Sequence, residues 1–169
     1  MRDTTRRSTF GFVVGAMFRA ATAGAPFALL GCGGPAPPPP TVVYVQLVTT
    51  PDVNGSAPVS VRVYQLGSKS SFESADFFQI YQSDTASLGP DLIKKDQILL
   101  TPNTTKVLTL SPAPDPVKAI GIFVAYANYQ TATWRADADV PANKTTTITA
   151  NIGAAVVKVT SAPGKPAGS

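Results

Sequence analysis

One cysteine, Cys32, and no histidine set the limits of the chemistry open to this chain of 169 residues. Without imidazole there is no Ser-His-Asp or Cys-His nucleophile, and a lone thiol builds neither a zinc site nor an internal disulfide. Asp137 and Asp139 share one face of an alternating segment, but a calcium site takes six or more oxygens from a folded loop, and no such loop pattern is present. Glycoside hydrolysis takes two carboxylates facing each other across a cleft, which the sequence does not show. The two aspartates therefore read as a solvated strand face with Arg135 alongside. Trp134 and Arg135, adjacent and so on opposite faces, read as a core anchor and as an exposed or edge pairing group. Tyr44, Tyr64 and Tyr126 are the residues a ligand-stacking surface would use. The expectation is a protein that is not an enzyme and carries no cofactor and no metal.

These side chains need a scaffold, and periodicity supplies one. In Asp52–Leu66 the residues Val59, Val61 and Val63 alternate with Ser60, Arg62 and Tyr64, the period-two signature of a half-buried strand. Asn54-Gly55 before it tolerates positive φ, and Pro58 donates no ladder hydrogen bond, so a turn feeds the strand. Thr41–Thr49 is apolar on both faces and predicts a central strand. Further strands are predicted at Gln97–Leu100, Thr105–Leu110, Val117–Tyr129, Thr131–Val140, Thr145–Ile152 and Ala154–Thr160. Between them Ser70 and Glu73 have capping-box spacing, and Phe77, Ile80 and Tyr81 recur at helical spacing with Phe72 and Phe78 flanking. That predicts one helix, Ser71 to about Ser83, with its aromatics in the core, followed by a turn at Leu88–Ile93. The fold class is all-β: a two-sheet antiparallel β-sandwich with a short added helix. It occupies residues 41–160, and 161–169 reads as a disordered tail.

Hydrophobic residues make up 44% of the chain and charged ones 14%, with 16 Pro and 13 Gly, a composition suited to a β-rich secreted or envelope protein. The net charge of +4 is concentrated at the start: Arg2, Arg6, Arg7 and Arg19, with Asp3, precede Cys32, and the remainder is near neutral. No basic patch survives there, so nucleic acid is not an expected partner. Residues 1–31 combine a basic start with apolar runs too short to span a bilayer, which is the pattern of an export signal. Leu29-Leu30-Gly31-Cys32 resembles the lipobox of bacterial lipoproteins, in which the cysteine is acylated on sulfur and, after cleavage, on its new amine. Thr5-Arg6-Arg7-Ser8-Thr9-Phe10 is similar to a twin-arginine signal, with Phe10 one place late; an ordinary basic start serves equally. Gly33–Pro40 favours polyproline II and makes residues 32–40 a lipidated Pro-rich tether.

The order Asp52-Val53-Asn54, Pro58-Val59, Arg62-Val63-Tyr64-Gln65-Leu66, Phe72 through Tyr81, Leu88-Gly89-Pro90-Asp91-Leu92-Ile93, Pro102, Ile120-Gly121-Ile122-Phe123-Val124-Ala125-Tyr126 and Trp134-Arg135 resembles the outer-membrane lipoprotein family of type VI secretion systems, the TssJ/VasD type. The resemblance runs from about Val42 to Ile152 behind Cys32. It implies a transthyretin-like sandwich, anchored in the outer membrane through Cys32 and facing the periplasm. There it would act as a structural adaptor for the periplasmic domain of the inner-membrane protein TssM. It also implies partner binding by the loop between the first two strands, here Asp52, Val53, Asn54, Gly55 and Ser56, in a loop shorter than the family's usual one. Taken without the resemblance, that loop is an ordinary strand connection. The rival reading is a lipid-anchored module for a small ligand or glycan, built on the three tyrosines.

Overall fold

The computed structural model describes residues 36–111 and 117–167. Two four-stranded sheets form, built from β1 (Val42–Thr49), β2 (Val59–Leu66), β3 (Leu92–Leu100), β4 (Thr105–Leu110), β5 (Ala119–Ala125), β6 (Arg135–Asp139), β7 (Thr145–Ile152) and β8 (Val157–Pro163). Their orders are β4-β1-β7-β8 and β3-β2-β5-β6. Both strands singled out by their apolar pattern are central. β1 buries Val43, Val45, Leu47 and Thr49 on one face and leaves its other face half-buried. It pairs antiparallel with β4 but parallel with β7, so one ladder departs from the all-antiparallel expectation. The β3-β2-β5-β6 sheet is antiparallel throughout.

Two apolar layers result. The larger lies between the sheets and holds Val43, Val45, Leu47, Val59, Val61, Val63, Ile122, Val124 and Ile148 with their neighbours. The second lies on the outer face of β2 and β5, where Tyr64, Leu66 and Phe123 meet Phe72, Phe77, Ile80 and Leu88 from the helical segment. Tyr64 and Leu66 are thus fully buried, although alternation alone places Tyr64 on the less buried face. Gly121 makes this layer possible. A Cβ at that position would lie 3.0 Å from Phe72 Cε1 and 3.1 Å from Leu66 Cδ1, so glycine lets the Phe72 ring lie against the sheet.

The helical segment differs from its prediction. It consists of α1 (Ser70–Ser74) and α2 (Phe77–Leu88), broken at Ala75, whose backbone is extended (φ −66°, ψ 147°). The residue before α1, Lys69, makes no side-chain cap, and Ser70 and Glu73 form no capping box. The box is Asp76 with Gln79 instead: the Gln79 amide donates to Asp76 Oδ1, and the Asp76 amide donates to Gln79 Oε1, each at 2.8 Å. That reciprocal pair restarts the helix, which then continues past Ser83 through a local kink to Leu88.

Strand ends shift as well. β3 begins at Leu92, five residues before the predicted start, because Lys94, Lys95 and Asp96 sit on an edge strand where charge is tolerated and disguises the pattern. β5 and β6 are shorter than predicted, the chain between them being spent on turns. β8 runs through Pro163, three residues into the stretch read as a disordered tail, and Gly164 accepts a hydrogen bond from the Thr147 hydroxyl at 2.7 Å. One side of the sandwich is joined where Thr133 bridges to Val156, with Val157 donating to the Thr133 carbonyl at 2.9 Å. The opposite side carries the edges of β3 and β4, linked by a corner that Thr49 fixes. Its hydroxyl donates to the Thr101 carbonyl and accepts from the Thr104 amide, both at 2.8 Å.

Candidate functional site

The β1–β2 connection is a built structure. Val53–Gly55 form a single 3-10 turn, and Asn54, Gly55 and Ser56 follow one another at φ 49°, 69° and 64°, the left-handed region that Asn and Gly tolerate best. Val53 is fully buried and belongs to the inter-sheet core, so it pegs the turn into the sandwich. Asn54 ties it sideways: its amide donates to the Ala154 carbonyl at 3.1 Å, its Nδ2 to the Pro58 carbonyl at 3.2 Å, and its Oδ1 accepts from the Ala127 amide at 2.8 Å. The Thr50 amide holds the Ile152 carbonyl at 3.0 Å, and the Thr50 hydroxyl donates to Asp52.

The five residues assigned to partner binding therefore divide. Asp52, Gly55 and Ser56 are exposed and offer surface. Val53 offers none, because its side chain faces the core, and Asn54 spends its amide group inside the protein. What the turn does bring together is one end of the sandwich. Asn54 and Gly55 border an open depression of about 300 Å³ whose other walls are Tyr126, Ala127, Asn128, Ala154 and Ala155. The buried Tyr126 hydroxyl donates to the Gly153 carbonyl at 3.2 Å, and burial pushes its pKa up, so it stays a neutral donor.

Beside this end lies an aromatic face. Phe77 is its centre, stacked on Tyr129 at 4.4 Å between centroids and on Tyr81 at 5.6 Å, with Phe78 and Trp134 edge-on at 5.6 and 5.4 Å. Phe77 is buried as predicted, and so are Phe72 and Ile80. Phe78 and Tyr81, in contrast, are each 47% exposed. α2 is held in place from beneath by Asp84. Its Oδ1 accepts from Lys95 Nζ at 2.8 Å and the Thr85 amide at 2.7 Å; its Oδ2 accepts from Tyr64 at 3.0 Å and from Arg62 at 3.2 Å. Burial pushes the Asp84 carboxyl up, but the bonds from Lys95, Tyr64 and the Thr85 amide outweigh it and hold the pKa below the usual carboxylate range. Arg62 also donates to the Ile80 and Tyr81 carbonyls at 2.9 and 3.1 Å, and its guanidinium lies 5.7 Å from the Tyr81 ring centroid. This cluster is invisible in the sequence, since it joins β2, α2 and β3.

The other candidate residues have structural work. Lys69 Nζ lies 3.1 Å from Asp137 and 3.3 Å from Asp139, and these two carboxylates raise its pKa. The aspartates are ion-paired to an ammonium group, and among the described residues no cluster of three or more His, Cys, Asp or Glu is placed to hold a metal. Of the two expectations for Arg135, an exposed or an edge pairing group, the edge one holds: it is half-buried on the edge strand β6. Its Nη1 donates to the carbonyls of Phe72 and Ala75, closing the joint between α1 and α2, while its guanidinium stacks on Trp134 at 4.8 Å. Trp134 is half-buried and packs against both apolar layers. Tyr64 and Tyr126 are buried in different layers, and Tyr44 lies on the other sheet, so the three tyrosines make no common stacking surface. Cys32, the export signal at 1–31 and residues 33–35 of the tether lie outside the described residues; 36–40 are exposed and carry no regular structure.

Comparison with known proteins places this architecture. A family model described as type VI secretion lipoprotein, VasD, EvfM, TssJ, VC_A0113 matches residues 41–155. The crystal structure of the T6SS lipoprotein TssJ1 from Pseudomonas aeruginosa is similar at a TM-score of 0.70 and 29% identity, over 75% of this chain and 100% of that one. Serratia marcescens Lip, a membrane-bound component of the type VI secretion system, is similar at 0.66 and 25% identity, over 72% and 96%. A chain of a type VI membrane complex shares the fold at 0.60 and 22% identity, over 71% and 98%. A search of the curated proteins finds no match.

Proposed function

This chain belongs to the type VI secretion lipoprotein family of VasD and TssJ, and from that premise we propose that it is a structural adaptor, acylated at Cys32 in the outer membrane. On the periplasmic side it holds the periplasmic domain of the inner-membrane protein TssM at the β1–β2 turn. Acyl chains contribute about 0.8 kcal/mol per buried CH₂, and stable anchoring takes more than one chain, which acylation on both sulfur and amine supplies. The Pro-rich stretch Gly33–Pro40 would serve as the tether to that anchor, a composition that in polyproline II reaches about 3.1 Å per residue, roughly 25 Å in all.

The observation that carries the partner-binding part is the rigidity of the turn. Val53 in the core and Asn54 bonded to Pro58, Ala127 and Ala154 hold Asp52, Gly55, Ser56 and Ala57 in one exposed arrangement. A surface fixed before the partner arrives loses little conformational freedom on docking, which favours this turn as a docking element. The rival glycan-binding reading loses its support, because its tyrosines are dispersed and largely buried.

The test leaves Val53 and Asn54 intact and alters what they present. In the full-length protein, purified in detergent, Asp52→Lys and Ala57→Arg change exposed positions at no cost to the core. Titration with the TssM periplasmic domain should show at least tenfold weaker binding for each, about 1.4 kcal/mol. Affinity unchanged in both folded variants removes the turn from the interface.

A further inference from the structure

We infer that the docking surface extends from the β1–β2 turn, across Tyr129, onto the exposed aromatic edge of α2 formed by Phe78 and Tyr81, and that the same partner domain covers both. This inference rests on the turn being a partner contact, and it adds the element that gives that contact its hold.

The first argument is size. A specific interface engages roughly 20–30 residues on each side. The turn exposes Pro51, Asp52, Gly55, Ser56, Ala57 and Pro58, all small and none of them aromatic or Arg. A patch of that area and composition lacks the large anchors that dominate binding energy, which are enriched in Trp, Tyr and Arg. The partner must therefore spread onto a neighbouring surface.

The second argument is continuity. Asn54 Oδ1 accepts the Ala127 amide at 2.8 Å, so the turn is bonded directly to the segment that leads into Tyr129. Ala127 and Asn128 are exposed, and the Tyr129 ring then stacks on Phe77 at 4.4 Å and meets Phe78 at 5.1 Å. Tyr81 also stacks on Phe77, at 5.6 Å. No exposed charge interrupts the path Asn54, Ala127, Asn128, Tyr129, Phe78.

The third argument is that the aromatic edge is preorganised. Asp76 caps α2, Asp84 pins it to β2 and β3, and Arg62 bonds the Tyr81 carbonyl while lying near its ring. Phe78 and Tyr81 nevertheless leave nearly half their surface in water. Two large rings held rigid and half-exposed next to a rigid turn suit a partner face with an apolar recess for aromatic side chains and a flatter polar rim for the turn.

The experiment compares four full-length variants: Phe78→Ala with Tyr81→Ala, Phe78→Lys alone, Ala57→Arg, and Asp52→Lys. Each is titrated with the partner's periplasmic domain after its thermal melt has been checked. The double variant and Phe78→Lys should each weaken binding at least tenfold, with melting close to wild type. Phe78→Lys keeps the test decisive if the double variant unfolds, since that position is half-exposed. If Ala57→Arg weakens binding and both aromatic variants stay within twofold, the extension is overturned and the turn stands. If the aromatic variants weaken binding and neither Ala57→Arg nor Asp52→Lys does, the aromatic edge stands as the docking surface and the turn assignment fails. If the aromatic variants change only self-association in sedimentation, leaving partner affinity intact, the edge is a contact between copies of this chain and the inference is wrong.

Discussion

Replacing Asp84 by alanine removes the acceptor at which β2, α2 and β3 meet, and the structure allows the cost to be worked out partner by partner. Tyr64 loses its hydrogen bond inside a fully buried site, and an orphaned buried hydroxyl costs about 1–3 kcal/mol. Arg62 keeps the Ile80 and Tyr81 carbonyls, so its guanidinium remains bonded although its counter-charge is gone. Lys95, with 45% of its side chain exposed, turns to water and contributes less than about 1 kcal/mol. Asp84→Asn keeps the shape and an acceptor and should cost about half as much as Asp84→Ala. The two variants also separate packing from charge. Because the folded pKa of Asp84 is depressed, its charge contributes stability fully above the unfolded value of about 3.9 and loses it as pH falls through the folded value. The gap between wild type and Asp84→Asn, measured by urea unfolding from pH 7 downward, should therefore close below about pH 4. A loss under 1 kcal/mol for Asp84→Ala, or a gap that persists in acid, refutes the account of how α2 is held.

Three further expectations follow from packing and from the anchor. Gly121→Val drives carbon atoms into Phe72 and Leu66 and should destabilise by about 1–3 kcal/mol, read in the same unfolding assay. Val53→Ser removes the peg of the β1–β2 turn: it should lower stability by about 2 kcal/mol, and hydrogen exchange should show faster opening at Asn54 and Ala127 while β2 stays protected. Cys32→Ser should abolish acylation and release the protein from the outer-membrane fraction; recovery there at normal levels on fractionation refutes the anchor.

The parts of the fold that were legible are those whose signal is local. β1 declares itself as a short run apolar on both faces and β2 through the alternation of Val59, Val61 and Val63, and the turn between them because Asn54-Gly55 is suited to positive φ. The helical stretch and its start at about Ser71 are legible, but its break at Ala75 and its extension to Leu88 are not, since Ser70/Glu73 and Asp76/Gln79 both have capping-box spacing and only the second pair forms the box. The aromatics of this stretch, expected in the core, divide because the buried face of α2 runs through Phe77, Ile80, Asp84 and Leu88 and leaves Phe78 and Tyr81 at its border. β3 was shortened because the charges on an edge strand resemble a loop. Least legible were contacts between distant residues. Asn54 reaches Ala127, Arg135 reaches Phe72 and Ala75, and Asp84 gathers Arg62, Tyr64 and Lys95, none at a spacing that a window along the chain detects. Val53 illustrates the consequence. Its type was consistent with a partner contact, and only the closed sandwich reveals that it points inward.

The position of β1 has a mechanical meaning. The chain enters it after Thr41 and leaves it into the turn at Thr50, so under the proposed anchoring at Cys32 and docking at the turn a pull between anchor and partner would run along this strand's axis. β1 lies between two neighbours, in register with β4 from Val43 to Val48 and with β7 from Val42 to Thr49. Pulling along such a strand strains the hydrogen bonds of both ladders together, in shear, whereas a pull on an edge strand opens its ladder one bond at a time, like a zip. Under the proposed attachment, force between anchor and partner would therefore load a central strand held by two ladders rather than an edge strand held by one.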